Sequence, residues 1–405
     1  MNSNKMRELY MTACIMPCYA THKMQISSRA KGITTCLLLL AATAALPSFV
    51  SRVKDEANTH SPSTPKLIEL FRLGDGENGD GVLFYGGIGE LVAVDRTGRI
   101  FISEWQDPTI HVFAPTGDLV TTIGQKGRGP GEFQWLESLH AGPGDTIYVF
   151  DSILGRLSAF EPHSLDLAYD FTVSRDGRKE PSWLIGVLDT GFLLAYEIPI
   201  SPGESPEGRR SHVMQVDWTG QVFPPPLHVL PASDWLVSAE GETRFARPMP
   251  FGRDPIFRLG PDDNLYSGWT ESVDIVVTAP GGMQTGRITH TLPPVPLTRK
   301  EFERNLELHG WPAKSRNRIL DQDLPATRPA YETFVVDDDG RLWLKVTTPS
   351  IEDTTAEWLI LDAKSRLLGQ IHLPVTTNLR VIRGNRAYAE ERGDVPSLVV
   401  YQVQE

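Results

Sequence analysis

Cysteine is nearly missing from this chain of 405 residues: there are three, Cys14, Cys18 and Cys36, all before residue 50. The body of the protein therefore holds no disulfide and no thiolate metal site, and Cys14-x-x-x-Cys18 has no second pair downstream to complete a zinc site. Gly-x-Ser-x-Gly is absent too, which removes the common nucleophile elbow of serine hydrolases. The four glycines of Gly124–Gly131 lack a Lys-Ser/Thr ending and a strand-to-helix setting, so they do not form a phosphate loop. Asp75-Gly-Glu-Asn-Gly-Asp-Gly81 is acid-rich but misses the ligand spacing of a calcium loop and reads as a turn-rich connection. A basic surplus is also lacking. The formal net charge is −12, and residues 1–54 carry seven Lys/Arg against one acid, which leaves −18 on the remainder. Nucleic acid is excluded as a partner on that ground, because phosphate binding needs clustered Lys and Arg. The same acidity suits solubility and cationic ligands.

The one long apolar run is near the start. Lys23, Arg29 and Lys31 precede Ile33–Leu46, and Ala42-Thr43-Ala44 offers a small-x-small cleavage site. This order predicts a secretory signal over residues 1–50, with translation beginning at Met24 or a long leader before it. The competing reading is an uncleaved anchor in the inner membrane: Ile33–Val50 is near the lower length limit for a span, and Pro47 interrupts it. Cys36 stands at the beginning of the run rather than after it, which rules out a lipoprotein signal. Residues 51–65 read as a flexible lead-in. The expected location is extracytoplasmic, periplasmic or secreted, with membrane contact only through an uncleaved N-terminus.

What the chain has in quantity is a short phrase: a turn residue, a spacer, an aliphatic residue or Ala, then usually an aromatic. It recurs at Gly98-Arg-Ile-Phe101, Asp145-Thr-Ile-Tyr148, Gly191-Phe-Leu-Leu194, Asp263-Asn-Leu-Tyr266, Gly340-Arg-Leu-Trp343 and Asn385-Arg-Ala-Tyr388. The intervals are 47, 46, 72, 77 and 45 residues. Periods of roughly 40–50 residues with several short strands each predict a β-propeller. The expected fold is all-β, with six four-stranded antiparallel blades over residues 66–405. The sixth unit supplies only three strands, at 379–382, 386–390 and 398–403, so Lys66–Leu73 is expected to complete it and close the ring. The third unit runs from about 175 to 234 and the fourth from about 235 to 297, with a loop insertion at Ser201–Gly208. A second insertion, 298–330, is predicted helical, because Thr298 and Glu301 form a capping box and Pro312 opens a second short helix.

Ile123-Gly-Gln-Lys-Gly-Arg-Gly-Pro-Gly-Glu-Phe133 resembles the connection between blades in NHL-type six-bladed β-propellers exported by bacteria. Asp145–Asp151 with Gly155–Phe160 is similar to the central hairpin of those proteins, and Val336–Trp343 to a late blade. The resemblance spans roughly residues 66–403 and implies fold much more than function, since this architecture hosts both binders and enzymes.

The phrase also serves as a ruler. Eight positions before each turn residue stand Glu90, Glu137, Trp183, Pro255, Glu332 and Thr377; six positions after it stand Glu104, Asp151, Glu197, Trp269, Val346 and Glu391. Seven of these twelve positions, all expected on one rim, are acidic. Converging carboxylates suit a hard cation, Ca²⁺ or Mg²⁺, with Glu90, Glu137 and Glu332 as its ligands; they also suit a basic or hydroxyl-rich ligand, or simply bond turn backbone. Related enzymes add Asn or His to such a set, which here points to Asn378 and His140, although neither falls in register. Trp105, Trp183 and Trp269 are placed either as a stacking surface or as filling between sheets. The function expected is an exported binding propeller without enzymatic activity. Its ligand site on one face would take a small molecule, glycan, peptide or protein. The alternative is a metal-dependent lactonase, esterase or lyase at the axial funnel, with a metal-bound water or substrate oxygen as the reacting group.

Overall fold

The computed structural model describes residues 64–76, 81–200, 208–240, 243–311, 313–321 and 324–404. The signal or anchor segment, most of the 51–65 lead-in and parts of 75–81 and 201–208 lie outside the described residues. Six four-stranded antiparallel sheets form the body. Their inner strands are Val92–Val94, Leu136–Ala141, Glu180–Leu188, Pro255–Leu259, Tyr331–Val336 and Thr377–Arg383, for blades 1 to 6 in order. Each inner strand neighbours the next, and blade 6 neighbours blade 1, so the ring is closed. No helix among the described residues is long and apolar enough to cross a membrane.

The recurring phrase has a backbone cause. In four of the blades the turn residue of the first hairpin is left-handed, with φ of 83° at Gly98, 63° at Asp145, 56° at Asp263 and 74° at Gly340. Gly and Asp tolerate that region better than most residues. In blades 1 and 5 the turn is also latched: Asp95 accepts from the Thr97 and Arg99 amides and pairs with the Arg99 guanidinium, and Asp337 repeats this with Arg341.

Both faces of every blade are covered, because a hydrophobic core fills each of the six gaps between neighbours. Phe101 and Val112 meet Leu139 and Val149 between blades 1 and 2, and Trp343 and Trp358 meet Leu379 and Ala389 between blades 5 and 6. Closure works as the short last unit implied. Lys66–Leu73 pairs antiparallel with Ser397–Gln404, joining the two ends of the chain within blade 6.

The Gly-rich connection after blade 1 holds an anion of its own. Glu132 accepts from the amides of Arg128 at 2.9 Å and Gly129 at 2.7 Å. A Cβ at Gly127 would lie 2.0 Å from the Glu132 carboxylate, so only glycine lets the loop wrap around it.

The 298–330 insertion is helical, with α1 (Arg299–Leu308) and α2 (Ala313–Leu320). Thr298 and Glu301 form the expected capping box. The sequence placed the fourth blade from about residue 235, and this is corrected: Trp235–Glu240 and Thr243–Pro248 form a separate hairpin, and blade 4 begins at Pro255. The hairpin joins the helices because both would otherwise leave apolar faces in water. Leu236 shares one core with Phe302, Leu306, Trp311, Ile319 and Leu320, so the two insertions build a single cap.

The closing strand offers an internal comparison. Leu73 is 1% exposed, whereas Leu70, the extra residue of a bulge, is 43% exposed. Leu73→Ala is expected to cost about 2–5 kcal/mol and Leu70→Ala under about 1 kcal/mol, measured by urea unfolding.

Candidate functional site

The inner strands of all six blades line an axial cavity of about 480 Å³. Its wall carries Glu90, His140, Arg258 and Arg380 at one level, and Arg96, Asp189, Asp263, Asp337, Asp338 and Arg383 line it as well. Arg258 reaches across the ring from blade 4 and donates to Glu90, which precedes the inner strand of blade 1, at 2.9 Å. It also donates to Thr333 at 3.4 Å and the Phe257 carbonyl at 2.9 Å. Arg380 of blade 6 donates to the same Glu90 oxygen at 3.3 Å and to Glu390. Glu390 is fully buried, pairs also with Arg392, and accepts the Ile88 amide at 3.0 Å. One ionic chain thus links three blades through the axis.

The protonation states follow from these neighbours. Enclosure by the ring opposes the charge on Glu90 more than any other single effect, yet Arg258 and Arg380 together hold its carboxyl below the usual range. Its side chain is still 47% exposed, because the channel admits water while protein surrounds it. Burial favours the neutral form of His140 and lowers its pKa. His140 Nε2 lies 2.9 Å from the Leu184 carbonyl, which can only accept, so in the neutral ring Nε2 carries the proton and Nδ1 keeps its lone pair. Burial would raise Glu390, but Arg380 and Arg392 overcome it and hold the carboxyl at about 2.

The register residues have separate fates. Glu137, Glu332 and Arg380 are each the extra residue of a β-bulge on an inner strand. Bulges re-aim a side chain out of the alternating pattern, and they are common beside functional sites. Glu332 pairs with Lys345 at 2.9 Å. The buried Lys345 ammonium also donates to Asn378 Oδ1 and the Val375 carbonyl, each at 2.9 Å. Two of the residues proposed for a metal, Glu332 and Asn378, therefore surround an ammonium. Glu137 has no cation within ion-pair distance among the described residues. It accepts from Trp135 Nε1 at 3.1 Å and Ser152 at 3.3 Å, and burial raises its carboxyl despite those bonds.

The remaining acids bind their own blades. Glu104 accepts the Tyr85 amide at 2.6 Å and the Gly86 amide. Asp151 accepts those of Gln134 at 2.6 Å, Trp135 at 3.1 Å and Leu154 at 2.9 Å. Glu197 pairs with Arg209 at 2.7 Å and accepts from Ser211 at 2.9 Å, while burial still raises its carboxyl. Glu391 pairs with Arg72 of the closing strand. Trp183 packs on Phe257, with ring centroids 6.3 Å apart, Trp269 is half-buried opposite Pro255, and Trp105 lies over Gly87 and Gly89. Among the described residues no three His, Cys, Asp or Glu side chains are grouped so as to hold a metal ion.

The arginines escaped a ruler set for acids. Five positions before the turn residue stand Ala93, His140, Gly186, Arg258, Val335 and Arg380. That level contains the polar centre of the cavity, and its two arginines were the signal available.

Comparison with known proteins agrees with the architecture. Residues 81–173, which hold blades 1 and 2, match the model of a family, DUF5128, described as 6-bladed beta-propeller. No curated protein matches the chain in sequence. Among solved structures, a member of the DUF4221 family from Bacteroides vulgatus is 11% identical with a TM-score of 0.49, covering 84% of this chain and 99% of that one. Virginiamycin B lyase from Staphylococcus aureus is 12% identical with a TM-score of 0.41, covering 83% and 99%. The PQQ-bound aldose sugar dehydrogenase from Streptomyces coelicolor is 11% identical with a TM-score of 0.44, covering 85% and 100%. Likenesses this distant carry no functional inference. The class defined is a six-bladed β-propeller with an ionic axial cavity.

The acid limb of stability follows from Glu390. Its folded pKa lies below the ordinary 4.5, so its contribution is complete above that value and is lost as pH falls towards about 2. The contribution is on the order of 3 kcal/mol. Glu390→Gln is expected to be less stable than wild type at neutral pH and to flatten this acid limb, as read from chemical unfolding at a series of pH values.

Proposed function

We propose that the protein is an exported, NHL-type binding propeller that takes a small polar ligand in the axial cavity and performs no chemistry on it. The observation that carries this reading is the pairing of Glu90 with Arg258 and Arg380. The axial carboxylate already has its cations, supplied by the chain, and the cavity around it stays open to water. Only one Glu90 oxygen receives the two guanidiniums. The other oxygen and His140 Nδ1 remain as acceptors, while Arg258, 22% exposed, offers donors. A ligand with both hydroxyl or ammonium donors and a carboxylate complements that set. The volume lies within the range of small-molecule sites. The basic–apolar–small order of the N-terminus supports export.

Thermal-shift titration with amino acids, hydroxy acids and sugars tests the reading. A binder at 100 times its Kd stabilises the fold by about 2.7 kcal/mol, and Arg258→Met is expected to abolish that gain, measured against the variant's own unliganded midpoint. Elemental analysis after dialysis is expected to find no stoichiometric Ca²⁺ or Mg²⁺, with the same thermal midpoint in EDTA. A retained equivalent of either metal, with a midpoint that falls in EDTA, would overturn the reading in favour of a metal-dependent enzyme.

A further inference from the structure

A second cavity, of about 410 Å³, lies where the cap meets blades 4, 5 and 6. Phe251, Leu308, Ile351 and Val375 give it apolar walls, and Asp254 and Glu332 give it carboxyls. Asp254 has no ion-pair partner among the described residues. Burial raises the Asp254 carboxyl, a side-chain hydrogen bond with Ser233 offsets part of that, and Asp234 nearby adds negative potential. The cationic residue in the lining, Arg328, is already engaged: it donates to Glu301 at 3.0 Å and the Thr348 carbonyl at 3.2 Å, and its guanidinium lies 4.7 Å from the Phe251 ring centroid. A separate observation points to an occupant. Thr347 lines the cavity, is only 6% exposed, and its hydroxyl has no hydrogen-bond partner. Leaving a buried hydroxyl unmatched is costly, and a ligand donor would recover that cost.

We infer that this cleft binds an organic cation, an ammonium on a hydrocarbon stem such as a lysine side chain or an alkylamine. The ammonium would be received by Asp254 and Thr347 and the stem by Leu308, Phe251 and Ile351. An ammonium has three donors to place. The protein shows the same solution beside the cleft, where Lys345 is held by Glu332, Asn378 and the Val375 carbonyl. The strongly negative body concentrates such ligands, and Leu308, 68% exposed at the end of α1, marks the entrance. This site shares none of its lining with the axial cavity, so it stands or falls independently of the function proposed there.

Isothermal titration calorimetry of the full chain with n-hexylammonium, 1-hexanol and hexanoate tests it. Hexylammonium is expected to bind saturably at one equivalent, with hexanol and hexanoate at least about tenfold weaker. Asp254→Asn should weaken hexylammonium by about tenfold or more. Leu308→Lys, on an exposed position that leaves folding intact, should abolish binding, and Arg258→Met should leave it unchanged. Equal binding of hexanol, undiminished binding by both Asp254→Asn and Leu308→Lys, or no saturable binding to wild type would overturn the inference.

Discussion

A ring of sheets is only as stable as the contact between its first and last members, and here one antiparallel pairing makes that contact. Lys66–Leu73 beside Ser397–Gln404 turns three late strands into a full blade and presents blade 6 to blade 1. The axial cavity depends on this closure. Glu90 precedes blade 1 and Arg380 belongs to blade 6, so the ionic chain through the axis exists only where the two ends of the chain have met. Fold and site are therefore one system, with apolar cores between blades supplying most of the cohesion and the ion pairs fixing how the blades face each other.

Those ion pairs express a consistent preference. Where acids gather near the axis and the mouth, the chain often supplies its own cations: Arg258 and Arg380 for Glu90, Lys345 for Glu332, Arg209 for Glu197 and Arg72 for Glu391. Each guanidinium or ammonium on a stem needs neither the close convergence nor the ligand count that a divalent ion requires. Asp254 and Glu137 differ. Neither has a cation at ion-pair distance among the described residues, and burial raises both carboxyls.

Much of this fold could be read from the residues because its causes are local. Left-handed turns demand Gly or Asp at fixed points, a capping box needs only Thr298 and Glu301, and an orphan strand pattern at 66–73 had one place to go. The hairpin at Trp235–Pro248 was hidden because its spacing resembles a blade's opening strands, and only the core it shares with α1 and α2 distinguishes it. The site was harder to read for a different reason. Glu90 and Arg258 are 168 residues apart and meet across the ring, which no local pattern encodes. The bulges at Glu137, Glu332 and Arg380 also shift side chains out of strict alternation, so a ruler based on spacing finds the strand but not the direction of the side chain.

Closure between distant ends also imposes an order on assembly. Residues 66 and 404 can pair only after the whole ring between them has been synthesised. Because loop-closure entropy grows slowly with length, the delay is kinetic more than energetic. Until then the N-terminal strand waits without a partner, and the C-terminal strand, once made, presents an open edge with Val399, Val400 and Tyr401 until the two meet. The charges of Lys66, Glu69 and Arg72 suit that interval. They make the waiting strand a poor template for other chains while still permitting the one register that completes the ring. Crowded synthesis would thus favour exchange of this strand between copies, and its charge pattern works against it.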